Sequence, residues 1–248
     1  MSTELNSGAA PGLSQIERVT NTFLAPSKTF NDIRDHNRSW WVPYLLSMVF
    51  VYVFFALVTV KVGWHQVGDN ILSSDVKTQE RLAQAPPEAK EQALKMTVLF
   101  TEGIAWGSAA VGLIIALIAS LVLWGSINFI FGGKSKFSEV FCVWMYAGLP
   151  GIFKMLLGSV MVYLNAPDAF NIKNFAPTNL GAFLPADANK FLMVLATKMD
   201  ITDIWGLVLL SIGLAIVAKV GKSSGYMVVF GWWFILLFLG LVGAAFSG

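Results

Sequence analysis

Residues 141–164 read FCVWMYAGLPGIFKMLLGSVMVYL. A helix crossing roughly 30 Å of hydrocarbon needs about 20 apolar residues, and this run supplies them. It also carries Pro150 and Gly151 near its middle and Lys154 one turn later. The surrounding chain is equally apolar: 56% of its 248 residues are hydrophobic and 13% charged, with a mean hydropathy of +0.65. A soluble domain cannot hide that much apolar surface, so the composition implies an integral membrane protein.

Five segments are long and apolar enough to span, at about 41–61, 103–131, 137–164, 203–219 and 226–246. The expected fold is therefore all-α and polytopic, with five transmembrane helices. The short connections GGKSK (132–136) and KVGKSSG (219–225) each hold two lysines and no acid. The positive-inside rule places both in the cytoplasm, with the N-terminus inside, Gly248 outside, and the long connections of about 62–98 and 165–202 outside. The first residues have neither a basic start nor an apolar run and do not form a secretory signal. The chain thus divides into a cytoplasmic amphipathic region, 1–40, and a five-helix domain, 41–248.

Within 1–40, Leu13, Ile16, Val19, Phe23 and Leu24 share one side of a helix, and Phe30 and Ile33 continue it after Pro26 and an N-cap at Ser27. Two short helices lying along the inner membrane surface are predicted, and Trp40 and Trp41 follow as an aromatic anchor. Beyond the first span, Ser74 or Asp75 is placed to cap a polar helix. A second helix restarts after Pro86 and projects outside the bilayer before descending. In the outer loop a short helix is expected at about 187–199.

Three strings stand in a telling order: FLAPSKTFNDIRDHNRSWWVPYLL (23–46), FGGKSKFSEVFCVWMYAGLPGIFK (131–154) and MDITDIWGLVLLSIGLAIVAKVGKSSG (199–225). Together they resemble the bacterial branch of the Yip1 domain family across about 23–246. The resemblance implies a multi-span helical protein without a known catalytic site. Eukaryotic members are associated with Rab GTPases and vesicle trafficking, but where that branch carries DLYGP this chain has SWWVP at 39–43. The expected location is accordingly the bacterial cytoplasmic (inner) membrane, and the expected role is organising membrane or recruiting partners.

The triplets Gly133-Lys134-Ser135 and Gly221-Lys222-Ser223 are not phosphate-binding loops, because the earlier glycine that motif needs is replaced by Asn128 and Ile216. Lys134, Lys136 and Lys222 are instead expected to touch anionic lipid headgroups. A net charge of +2 gives no reason to expect a nucleic-acid partner. With one cysteine, Cys142, no intrachain disulfide can form; no metal ligand set, cofactor or catalytic constellation is read from the residues, so no enzyme is expected. Ser108, Gly112, Ala116 and Ser120 recur every fourth residue and let another helix approach, either within the chain or from a second copy in a homo-oligomer. Asp203 or Thr202 is the expected cap of the fourth span.

Lys154 is the sharpest feature. An ammonium near the bilayer centre costs about 2.5–3.5 kcal/mol and turns toward the bundle, a cavity or a counter-charge. The nearer aqueous boundary is about ten residues, or 15 Å, away. Pro150 cannot donate to the carbonyl of Tyr146, so a break at 146–151 is expected, with Gly148 and Gly151 admitting a helix or water. The predicted result is a polar notch lined by Tyr146, Pro150, Gly151, a freed carbonyl and Lys154. It would bind an anionic lipid or small anion, in a transporter or scramblase, or else serve only packing.

Overall fold

A computed structural model describes residues 12–185 and 188–246. The two termini, on which the expected orientation bears, lie outside the described residues, as does Asp187 at the start of the helix expected at 187–199. Helices α1 (Gln15–Leu24) and α2 (Pro26–Asp35) precede the first spanning helix, α3 (Trp41–Lys61). Next come α4 (Trp64–Ser73), α5 (Val76–Ala83), α6 (Pro87–Trp106) and α7 (Ser108–Phe131). The third span is the pair α8 (Phe137–Ala147) and α9 (Gly151–Leu164), followed by α10 (Lys190–Lys198), α11 (Ile201–Ala218) and α12 (Lys222–Phe246). The described residues form an all-helical protein in which five helices, the α8–α9 pair counted as one, are long and apolar enough to cross a membrane.

Helices α7, α8, α11 and α12 pack around the main core, with α3 laid along α8 and α9. Large apolar side chains on the outer faces of α7 and α12, among them Ile114, Ile118, Phe234 and Phe238, stay exposed, as lipid-facing residues should. Lipid tails are as apolar as these side chains, so small residues and polar ties must hold the helices together. On α7, Ala116 packs against Phe141 and Met145 of α8 and Ser120 is buried, whereas a Cβ on Gly112 would meet nothing within 4 Å. A Cβ at Gly213 of α11 would lie 3.0 Å from the ring of Phe30, so the glycine admits that ring.

The two short helices pack on each other and on the bundle. They form a hairpin turning at Ala25, and α2 runs along α11 and α8 with Phe30 and Ile33 wholly buried in the main core. The cap differs too: Pro26 stands at the first helical position after Ala25, so Ser27 is already inside the helix. The apolar stripe of α1 is split, with Val19 and Phe23 packed on the core while Ile16 and Leu24 are 80% and 79% exposed. Farther on, Asp75 rather than Ser74 holds the cap position of α5. Helix α6 runs unbroken to Trp106 and packs against α4 before Gly107 separates it from α7.

The two lysine-bearing connections meet. Gly132 and Lys219 end their helices in the left-handed conformation, and the Lys134 N–H donates to the carbonyl of Ala218 at 3.0 Å. The side-chain amide of Asn128 clasps Ser135, accepting from its N–H at 3.0 Å and donating to its carbonyl at 3.1 Å. Lys134, Lys136, Lys219 and Lys222 are all exposed there, giving the bundle one lysine end.

Candidate functional site

The break in the third span sets the site. Proline has no N–H to donate and crowds the preceding turn, so α8 stops at Ala147 and α9 begins at Gly151. The carbonyl of Tyr146 is not freed, because the Leu149 N–H donates to it at 3.2 Å in a tight turn. Nor do Gly148 and Gly151 admit another helix: a Cβ on Gly151 would meet nothing within 4 Å, and one on Gly148 only carbonyls of its own helix. The close approach is made from the other side, by Gly206 of α11, whose Cβ would lie 3.0 Å from the carbonyl oxygen of Ala147.

One turn into α9, the ammonium of Lys154 lies 2.9 Å from the Asp200 carboxylate and 3.2 Å from that of Asp203. Asp200, not Thr202 or Asp203, caps α11. Its Oδ1 accepts from the Thr202 N–H at 2.9 Å and hydroxyl at 2.6 Å, and its Oδ2 accepts from the Thr178 hydroxyl at 2.6 Å. Burial pushes the Asp200 carboxyl up, but these hydrogen bonds and the Lys154 ammonium outweigh it and hold the pKa at about 2. The acid is thus ionised and fully engaged.

Asp200 reaches Lys154 because the 165–200 connection folds down into the bundle. Phe175 packs against Phe54, their ring centres 4.5 Å apart, and fills the space left by Gly158. The Ile201 N–H donates to the Thr178 carbonyl at 2.9 Å, pinning the connection to the start of α11.

From the opposite end comes the tip of the α1–α2 hairpin. The ring of Phe23 lies 5.7 Å from Phe153 and 5.4 Å from Trp205, which stack on each other at 6.0 Å and 12°. Phe153 and Trp205 neighbour Lys154 and Asp203, so hairpin and connection converge on one level of the bundle. With one lysine and two aspartates the cluster carries a formal charge of −1, and its outer edge is open: the Lys154 side chain is 22% exposed and that of Asp203 53%. Tyr146 belongs elsewhere, fully buried with its hydroxyl donating to Gln15 Oε1 at 3.3 Å.

The hairpin has a charged interior that the residue pattern of α1 and α2 did not yield. Arg18 Nε lies 2.5 Å from Asp32 Oδ2, and both side chains are almost wholly buried. Asp32 Oδ1 also accepts the Leu13 N–H at 2.8 Å, while the hydroxyls of Thr22 and Thr29 donate to the Arg18 carbonyl at 2.7 and 2.9 Å. The signal was a second stripe: Arg18 and Thr22 on α1 and Thr29 and Asp32 on α2, spaced to meet inside a hairpin. At its base, Arg38 donates to Glu139 at 2.6 Å.

Among the described residues, no three His, Cys, Asp or Glu side chains gather as a metal site. The family model described as the Yip1 domain matches residues 20–244. No curated protein and no solved structure matches the chain.

Proposed function

Because the chain belongs to the Yip1 domain family, we propose that it works without catalysis, as an integral membrane protein that organises the surrounding bilayer or recruits a protein partner. The observation that supports this reading is the outward face of the α1–α2 hairpin. Ile16 and Leu24 stand open on an element that turns Arg18, Thr22, Thr29 and Asp32 inward. A rigid support presenting two large apolar side chains offers a contact for lipid or for a partner's apolar surface. The proposed setting is a bacterial cytoplasmic membrane, with the lysine end toward the cytoplasm, where Lys134, Lys136 and Lys222 would meet anionic headgroups. The test replaces Ile16 and Leu24 with glutamate and compares crosslinked proteins and co-purified lipids with those of the wild type. Loss of a specific partner or lipid from a folded variant is expected; an unchanged set rejects the recruiting role.

A second reading, movement of lipid or small anions past the break, is favoured by the open edge of the Lys154–Asp203 pair. Lipid scrambling and anion flux in liposomes test it, comparing wild type with Lys154→Met and with the charge-balanced Lys154→Met/Asp200→Asn variant. Wild-type flux that both folded variants lose supports a path at Lys154. Equal flux in all three, or none, rejects it.

A further inference from the structure

We propose that the C-terminal half of α6 lies within the bilayer leaflet opposite the lysine end, and that the groove at its bend with α7 seats an acyl chain of a membrane lipid. This surface is apart from the α1–α2 hairpin and from Lys154, so it is tested independently of both readings above.

Charge along α6 changes abruptly. Glu88, Lys90, Glu91 and Lys95 occupy its first half, with Lys95 paired to Glu91 at 2.7 Å. From Met96 to Phe131 the sequence holds a single charge, Glu102. Those 36 residues make about 54 Å of helix, whereas the hydrocarbon layer is roughly 30 Å thick. Helix α7 alone, with 24 residues, reaches about 36 Å and is long enough to cross. It ends at Gly132, in the lysine-bearing connection, so the apolar surplus at 96–106 falls on the opposite side. An apolar helix longer than the hydrocarbon layer is accommodated by tilting or kinking, and Gly107 supplies the bend.

Helix α6 has two different faces. Leu94 and Val98 close on Gly68 of α4, where a Cβ would lie 2.8 and 2.7 Å from them, and Ala105 is buried with Trp64 and Val67. The opposite face carries Met96, Leu99, Phe100 and Ile104 at helical spacing, with Leu99 and Phe100 69% and 70% exposed. Glu102, two residues past Phe100, points about 200° away from it at 100° per residue, which leaves this face uncharged. The end of α6 is pinned to α3: Trp106 stacks on Tyr52, and the Tyr52 hydroxyl donates to the Trp106 carbonyl at 3.1 Å.

At the bend the apolar face encloses a groove of about 310 Å³, lined by Met96, Leu99, Phe100, Gly103, Ile104 and Val111. Gly103 leaves room that no described part of the chain uses, since a Cβ there would meet nothing within 4 Å, although glycine weakens a helix interior. Beyond Val111 the surface continues to Ile114 and Ile118 on the lipid-facing side of α7, so the groove opens onto hydrocarbon. A second copy fits it poorly. Helices associate in lipid through small residues and polar ties, whereas this face offers large apolar side chains and no polar one.

The test places the full chain in phosphatidylcholine nanodiscs with a trace of the same lipid carrying a diazirine in its acyl chain. Adducts formed on illumination are mapped by tandem mass spectrometry. They are expected between Met96 and Val111, alongside those on the exposed Phe234 and Phe238 of α12. Gly103→Leu fills the groove and should lose the adducts at Met96, Phe100 and Val111 while keeping those on α12, with its fold checked by circular dichroism. If Gly103→Leu does not fold, Val111→Trp takes its place. Adducts on α7 and α12 but none on 96–106 in the wild type overturn the proposal, whether water or a second copy covers the face. So does an adduct pattern that the folded filling variant leaves unchanged, because α6 would then touch lipid without seating a chain.

Discussion

The ammonium of Lys154 lies 2.9 Å from the carboxylate of Asp200, and Asp200 is wholly buried. The lysine inside an apolar span thus has a counter-charge that arrives from a different part of the chain, at the foot of a connection folded into the bundle.

Removing one partner of a buried pair strands the other. Lys154→Met should therefore destabilise the fold by about 3–5 kcal/mol, read as a drop in the thermal unfolding midpoint in detergent. The Lys154→Met/Asp200→Asn double variant should recover much of the loss. Equal midpoints for wild type and the single variant would mean that the pair does not hold α9 to α11.

Acid should loosen the same tie. The Asp200 carboxyl sits near 2 in the folded protein, against an ordinary value of 3.8. A depressed folded pKa means that the unfolded chain binds the proton more readily, so the stabilisation is complete above about pH 4 and fades as pH falls toward 2. The shift corresponds to about 2 kcal/mol. Unfolding midpoints measured from pH 5 to pH 2 should fall more steeply for wild type than for Asp200→Asn.

Helices α11 and α12 touch at backbone level. A Cβ added at Gly225 would overlap the carbonyl oxygen of Ser211, which cannot rotate away. Gly225→Ala should cost about 1–3 kcal/mol through forced separation of the two helices. At Gly231, where nothing lies within 4 Å, the same change should stay within about 0.5 kcal/mol. Thermal unfolding of the two variants distinguishes them.

The lysine end depends on one amide. Asn128→Leu removes both bonds to the Ser135 backbone; the carbonyl keeps the Trp124 indole N–H at 3.0 Å, so the Ser135 N–H is the group left unpaired, at about 1–3 kcal/mol. Hydrogen exchange across 132–136 should quicken, while exchange in the middle of α11 stays slow.

Much of the framework is legible in the residues themselves. Length and hydropathy mark the five spans, because a bilayer demands about 20 apolar residues in succession. Pro150 marks the break, because a missing N–H is a local fact. Ala116 and Ser120 of α7 are legible for the same reason: side-chain size is written in the chain. These features belong to single segments, and segments are what a sequence displays.

Pairing between segments is what it does not display. Asp203 looks like the cap of the fourth span until the 165–200 connection folds inward, makes Asp200 the cap and brings both acids to Lys154. Arg18 and Asp32 look like solvated charges on surface helices until α1 and α2 close on each other. The apolar stripe of α1 pointed to a helix lying flat, yet Ile16 and Leu24 of that stripe face outward, because α1 closes on α2 through Arg18 and Thr22 while Val19 and Phe23 meet the core. The sequence by itself determined the spans, the break and the lysine end, all of which follow from local composition. Only the tertiary structure decided where the buried charges find their partners, since a counter-charge is chosen by proximity in space and the chain alone carries no distances.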